Sequence, residues 1–247
     1  MIPDEVTRKN LAYTAARWTG VMRTLAPFLY TELIHYHYLY RHLDRRRNRP
    51  DRSAKILDVG FGSGYNIRRL TRRYGAETFG TDIAKETVDF YNRKNVPGSR
   101  AVLIDATTSL LPFADGSMDY IVCSHVLEHV PDDKLLLSEI RRVLSPGGTA
   151  YFNIPINEEG IEVPNHMRKY TGAAFLALLS SNGFTATESF ESDGFSRLVS
   201  WLGVHRSVVN GILKKILIAV LSLVPVFLLE LVPLKKSQFV CFCGRGP

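Results

Sequence analysis

Cysteine is scarce in this chain, with three in 247 residues, too few for the disulfide framework that staples small secreted folds. Cys241 and Cys243 sit two apart on a segment that reads as a strand, so they point to one face and are poorly placed to bond each other. A reducing, cytoplasmic setting is the expectation. No apolar run opens the chain: residues 1–20 carry Asp4, Glu5, Arg8, Lys9 and Arg17, so no signal peptide is expected there. Internal repeats and low-complexity tracts are also missing. Long apolar runs are absent but for residues 216–234, ILIAVLSLVPVFLLELVPL, where Glu230 is the one charge.

What is present suits a globular fold of one sizeable domain with an elaboration: 45% of residues are hydrophobic and 22% charged. The net charge of +7 is unevenly spread, for residues 41–52 (RHLDRRRNRPDR) hold six arginines and two aspartates. A stretch this basic suits phosphates, of nucleic acid or of anionic lipid. It equally suits a solvated helix end running into a linker.

Residues 4–47 read as helix, broken at Pro27, and Pro50, Asp51 and Ser53 mark a linker. Strands at 54–59, 76–81, 100–104, 118–123 and 149–154 then alternate with helices at 64–74, 84–94 and 132–143. That alternation predicts right-handed crossovers and a parallel sheet covered by helices on both faces. Beyond a loop to about residue 170, Thr171 caps a helix that Asn182-Gly183 stops, and strands at 184–191 and 237–243 follow.

The most informative segment is Ile56-Leu57-Asp58-Val59-Gly60-Phe61-Gly62-Ser63-Gly64. Glycines after a strand let backbone N–H groups approach a ligand, because a Cβ would block it. The helix N-terminus that follows favours electron-rich groups. The dinucleotide fingerprint needs its third glycine where this chain has Tyr65, which argues against a nicotinamide oxidoreductase. Asp82 and Asp105 close the next two strands. A carboxylate at the first position can accept from two ribose hydroxyls, and one at the second from an adenine amino group. Helix or loop capping is the plainer role for both. Asp58 lies under the glycine loop, where it can fix backbone amides and sit near a cationic ligand group.

Together these residues resemble the class I S-adenosylmethionine-dependent methyltransferases of the small-molecule group. ILDVGFGSG resembles that family's first motif, and Phe79-Gly80-Thr81-Asp82-Ile83 its ribose-binding strand end. Asp105-Ala106 and Leu111–Asp119 resemble its adenine loop and fourth-strand entry, Val122–Val130 the segment after that strand, and Leu144–Thr149 the turn into the fifth. The resemblance spans about residues 53–191 plus the last strand. It implies an α/β, Rossmann-like seven-stranded sheet with N-terminal helices and a C-terminal apolar helical insertion before the last strand. The implied division is 1–50 N-terminal helical cap or lid, 51–192 cofactor-binding core, 193–236 apolar insertion, and 237–247 last strand and tail. It further implies S-adenosylmethionine as cofactor, with Gly60, Gly62 and Gly64 as the cradle beside Asp58 and Gly60 and Gly62 facing the methionine part. Asp82 would hold ribose, Asp105 and the Ala106 amide adenine, Ser124 or His125 would lie near the sulfonium, and Phe61 or Ile83 would supply apolar lining.

Methyl transfer needs alignment and exclusion of water, and a base only if the acceptor must lose a proton. His125, Glu128 and His129 share one face if their stretch is helical, and His166 falls on the loop after the fifth strand at the same sheet edge. These residues offer a histidine base, a divalent-metal site, or a hydrogen-bonded tie between loops. A related Glu-x-x-Glu-His pattern carries metal, but His125 replaces its first Glu, so no resident metal is expected. Arg168 and Lys169 suit an acidic acceptor group or an exposed loop.

A single membrane crossing at 216–234 conflicts with the fold, since the strands on either side are neighbours in one sheet. Pro225 and Pro233 interrupt the run, and lysine pairs flank both ends, giving no orientation bias. A broken helical pair that lies in a membrane interface or closes over the active site satisfies the constraint. The reading is thus an enzyme that methylates a lipophilic small molecule at oxygen, in peripheral contact with anionic membrane, and with no nucleic acid partner. The alternatives are a non-catalytic cofactor-binding module at a membrane, or a nucleic-acid methyltransferase. Against the latter, Ser124-His125-Val126-Leu127 stands where an Asn-Pro-Pro-aromatic motif is needed.

Overall fold

The computed structural model describes residues 30–105, 108–158, 165–193 and 235–246. The expectations for residues 1–29, Ala106 and the apolar run 216–234 lie outside the described residues. The elements are α1 (Tyr30–Leu43), β1 (Lys55–Val59), α2 (Tyr65–Tyr74), β2 (Glu77–Asp82), α3 (Lys85–Asn92), β3 (Ser99–Leu103), β4 (Met118–Ser124), α4 (Asp133–Val143), β5 (Leu144–Pro155), α5 (Gly172–Ser181), β6 (Phe184–Ser192) and β7 (Gln238–Arg245). They build a seven-stranded sheet ordered β3-β2-β1-β4-β5-β7-β6, with β7 antiparallel to both neighbours.

Alternation along the central strands divides the core between two faces. Ile56 and Val122 point to one face, where Leu39, Tyr40 and Leu43 of α1 and Leu70 and Tyr74 of α2 cover them. Leu57, Val59, Ile121 and Cys123 point to the other, under Leu136, Leu137 and Ile140 of α4 and Phe175 and Leu179 of α5. Cys241 and Cys243 lie in this second core as free thiols on one side of β7, their sulfurs 3.2 Å apart.

The helix boundaries follow local chemistry. Asp132 accepts the Leu135 N–H at 2.9 Å, and Thr171 that of Ala174 at 3.2 Å, so α4 and α5 begin as expected. The N-terminal helix ends at Leu43, before the expected 47, and the arginines beyond it form a 3-10 turn at Arg46–Asn48. Successive like charges and the approaching Pro50 disfavour another α-turn there. Strand β5 begins at Leu144, five residues earlier than expected, because Met118 pairs with Leu144 before the register shifts.

The topology brings the strand ends to one edge. Val59 pairs with Thr81 and Cys123, Asp82 with Leu103, and Ser124 with Asn153. The order reverses between β1 and β4, the crevice where open α/β sheets take their ligands. At the far side of this edge, Gln238 pairs with both Pro155 and Ser192. The Ser237 N–H donates to the carbonyls of Ser192 and Asp193, both at 3.1 Å, and its hydroxyl donates to Asp193 O at 2.6 Å. Residues 193 and 237 are thereby clasped together. No helix among the described residues is long and apolar enough to cross a membrane.

Candidate active site

β1 delivers the chain into the glycine loop, which β2 then holds. The Gly60 and Phe61 N–H groups both donate to the Thr81 carbonyl, at 2.7 and 3.2 Å. Gly60, Gly62 and Gly64 have φ of +68°, +52° and +71°, a region side chains disfavour. Space enforces the same choice, since a Cβ on Gly60 would lie 2.5 Å from Val126 Cγ2. Asp58 beneath the loop is buried and accepts from Asn66 Nδ2 at 2.9 Å, while Asn66 Oδ1 accepts from the Tyr40 hydroxyl at 2.7 Å. That buried chain joins β1, α2 and α1.

Asp82 is buried at the end of β2, where Oδ2 accepts the Gly62 N–H at 3.2 Å and Oδ1 that of Ala84 at 2.9 Å. It therefore shapes the loop and starts the turn into α3, and a carboxylate's several lone pairs let it serve a ligand diol as well. The Ile104 N–H donates to Asp82 O at 3.1 Å, so the exposed Asp105 stands at the adjacent strand end. Phe61 departs from expectation. Its ring is 2% exposed and packs edge-on against Tyr91 at 5.5 Å, with Ile67 and Val88. The ring fills space between α2 and α3, whereas Ile83 is half-buried just past the end of β2.

Two hydroxyls flank the end of β1. Thr81 Oγ1 on β2 and Ser124 Oγ on β4 are buried without a hydrogen-bond partner. An orphaned buried hydroxyl costs about 1–3 kcal/mol, which a polar ligand in the crevice would recover. The glycine cradle, the strand-end acids and these hydroxyls fit a nucleoside-bearing cofactor.

The histidine cluster comes next along the edge, in a form the spacing did not predict. His125 is left-handed, with φ +55°, and Leu127–His129 is one 3-10 turn, so the expected helical face does not exist. The Asn153 carbonyl accepts the His125 N–H at 2.8 Å, and the Glu128 carbonyl accepts the Met167 N–H at 2.7 Å. Pro131 then keeps Val130 extended. The side chains converge nonetheless: Glu128 Oε1 lies 3.4 Å from His125 Nδ1 and 3.8 Å from His129 Nε2. Glu128 is fully buried, and although burial pushes its carboxyl up, contact with His125 and the charges of both histidines hold it below its ordinary value.

Burial pulls His129 below its ordinary 6.5 against the opposing pull of Glu128, favouring the neutral ring. Its Nδ1 lies 3.0 Å from Asn165 O, a pure acceptor, so Nδ1 carries the proton. His166 stacks edge-on with His129 at 4.8 Å and places Nδ1 2.9 Å from Glu158 Oε2. Sequence reasoning missed Glu158, which lies eight residues from His166 across a loop. Its one signal was its position three residues past β5, at the ligand edge. Arg168 is engaged within the protein. Its guanidinium donates to the carbonyls of Leu127, Val130 and Pro131 at 2.8, 2.6 and 2.7 Å, stapling the His166 loop to the 3-10 turn. Although no resident metal was expected, Glu128, His129 and His166 each offer one ligand atom, all within 4.8 Å of one another.

The strand order with its single antiparallel strand, the left-handed glycine loop and the acids at successive strand ends define the class I methyltransferase fold. Residues 57–152 match the family described as Methyltransferase domain, so that stretch of the chain is a methyltransferase domain with the class I fold. S-adenosylmethionine is the cofactor of this class of domain. Among curated relatives, the biotin biosynthesis bifunctional protein BioHC of Cellvibrio japonicus is 37% identical over 116 residues, covering 47% of this chain and 21% of the relative. A ubiquinone biosynthesis O-methyltransferase of Idiomarina loihiensis is 26% identical over 153 residues, covering 61% of this chain and 60% of the relative. The chain thus spans less than two thirds of the length of either. In fold it is similar to a chain of the Haloferax volcanii complex between the Trm112 methyltransferase activator and a methyltransferase, with TM-score 0.64, 18% identity and full coverage of both chains. It is also similar to the geranyl diphosphate C-methyltransferase of Streptomyces coelicolor A3(2), with TM-score 0.62, 16% identity, and coverage of 87% of this chain and 77% of that one.

Proposed function

We propose that this protein transfers a methyl group to an oxygen of a lipophilic small molecule at the surface of an anionic membrane. S-adenosylmethionine supplies an electrophilic methyl when bound. Gly60, Gly62, Gly64 and Asp58 would hold its methionine part, Asp82 its ribose, Asp105 and Ala106 its adenine, and Ser124 the region of the reacting carbon. The observation that carries the oxygen reading is the Glu158–His166 pair beside His129. A carboxylate on Nδ1 orients the imidazole and leaves Nε2 to take a proton from a hydroxyl or phenol. His125 and His129, both against Glu128, complete the polar wall. The ubiquinone biosynthesis relative, an O-methyltransferase by name, supports the acceptor class.

The Glu128, His129 and His166 cluster favours one further reading, a divalent cation that would bind the acceptor's oxygens. Titration calorimetry with S-adenosylhomocysteine, followed by turnover of lipophilic phenols in detergent with and without chelator, tests both readings. Micromolar binding lost in Asp82→Ala, with turnover that survives chelator, supports the histidine base. Turnover abolished by chelator and restored by added metal supports the cation. A folded protein that does not bind S-adenosylhomocysteine would sink both.

A further inference from the structure

Helix α2, YNIRRLTRRY, turns Asn66, Ile67, Leu70, Thr71 and Tyr74 to the protein interior and four arginines outward. With Tyr65 these arginines line an open cleft of about 490 Å3. Arg73 is neutralised by Asp44 through contacts of 2.9 and 2.6 Å. Among the described residues, no carboxylate lies within ion-pair distance of Arg68, Arg69 or Arg72. Arg68 is half-buried, and its Nη1 is enclosed without a hydrogen-bond partner. Arg69 is fixed by stacking 4.0 Å over Tyr40 and by a 3.2 Å bond to the Tyr65 hydroxyl, so it is presented in one orientation. Arg68 and Arg72 stand one turn apart, as do Arg69 and Arg73, an arrangement in which like charges weaken a helix.

A helix that concentrates unneutralised cations on one face is complementary to a dense array of anions. Basic residues extend the face: Arg49 lies over Tyr74 at 5.5 Å, and Arg52 packs against Gly75 at the end of α2. We propose that the arginine face of α2 is the docking surface for the phosphates of an anionic lipid bilayer. This deepens the lipophilic-acceptor reading and rests on it. Single-stranded nucleic acid fits less well, because it needs aromatic faces for its bases. Here Tyr40 and Tyr74 are buried, and Tyr65, half-buried with its hydroxyl accepting from Arg69, is the one aromatic among the described residues that line the cleft. The sequence independently carries an apolar run at 216–234 flanked by Lys214-Lys215 and Lys235-Lys236, the composition of a segment that meets lipid. The geometry also serves the chemistry. Arg68 Nη1, enclosed, lies 3.5 Å from where a Gly64 Cβ would stand, so the helix that carries the docking face starts beside the cofactor loop.

The test is flotation of the full-length protein with phosphatidylcholine vesicles, with and without about 30% phosphatidylglycerol, at low and high salt. Each cationic side chain near such a surface contributes about 1 kcal/mol. Partition of Arg69→Gln/Arg72→Gln onto anionic vesicles is therefore expected to fall about thirtyfold, with neutral-vesicle binding unchanged. The single Arg72→Gln change, at an exposed position, is expected to cost about fivefold and covers the case in which the double variant misfolds. Equal partition of the wild type onto neutral and anionic vesicles, unchanged partition of the folded variants, or displacement by RNA at lower concentration than by lipid would overturn the proposal. S-adenosylhomocysteine binding, measured on the same samples, separates the two readings. Its loss in the wild type defeats the methyltransferase reading whatever the vesicles show, and its retention without lipid binding defeats only the docking surface.

Discussion

The contact of 2.9 Å between His166 Nδ1 and Glu158 Oε2 decides which nitrogen can take a proton. With Nδ1 donating to the carboxylate, Nε2 is left basic, and the carboxylate steadies the imidazolium that forms. Replacing His166 by Gln should lower kcat by roughly 10²–10⁴-fold, the range for a lost general base. Glu158→Gln should lower kcat less than His166→Gln and leave KM near its original value, because the ring stays but its tautomer is no longer enforced. Steady-state kinetics on a phenolic acceptor checks both, and a Glu158→Gln effect confined to KM would contradict the pairing. At this scale the glycines were legible, since positive φ and the closeness of Val126 dictate the residue type. Glu158 was not, because its role depends on a loop that only the folded sheet brings to His166.

At the scale of elements, α1 is held to the sheet by groups that titrate. His42 stacks on Phe242 at 3.9 Å and faces Glu188 at 3.4 Å, while Arg45 reaches Glu188 at 2.8 Å. Burial draws His42 below its ordinary 6.5, outweighing Glu188, so the unfolded chain binds its proton more readily and stability declines as pH falls below about 6.5. The Arg45 contact holds Glu188 below its ordinary 4.5, and its contribution, present above that value, is lost as pH falls through the lowered one. Thermal melting from pH 8 to about 3 should therefore fall in two windows. His42→Gln should flatten the upper slope without abolishing it, because half-buried His129 contributes there too. An unchanged slope would show that His42 does not titrate with folding. Local signals read the helix starts well, for Asp132 and Thr171 cap as their side chains dictate. The same kind of reading failed at residues 125–129. Their i, i+3, i+4 spacing is helical, yet Asn153 and Met167 capture the backbone groups a helix would have used.

At the scale of the molecule, the parallel winding of β1 to β5 was legible because alternating strands and helices leave few ways to wind a sheet, but their order was not read. That β6 and β7 are neighbours was implied only through resemblance, and that β7 runs antiparallel was not read at all, since no local pattern names a strand's partner or direction. The clasp of Ser237 on Ser192 and Asp193 carries a further consequence. Two chain ends held a hydrogen bond apart act as a port: the sheet is closed beneath them whatever sequence is plugged in above. Replacing residues 194–234 by a short glycine–serine linker should leave a folded core that binds S-adenosylhomocysteine within about threefold of the full chain, a change under 1 kcal/mol. Loss of folding in that variant would show that residues 194–234, and not the clasp alone, hold the sheet closed. Its success would mean that residues 194–234 can be exchanged as one cassette, leaving the cofactor machinery untouched.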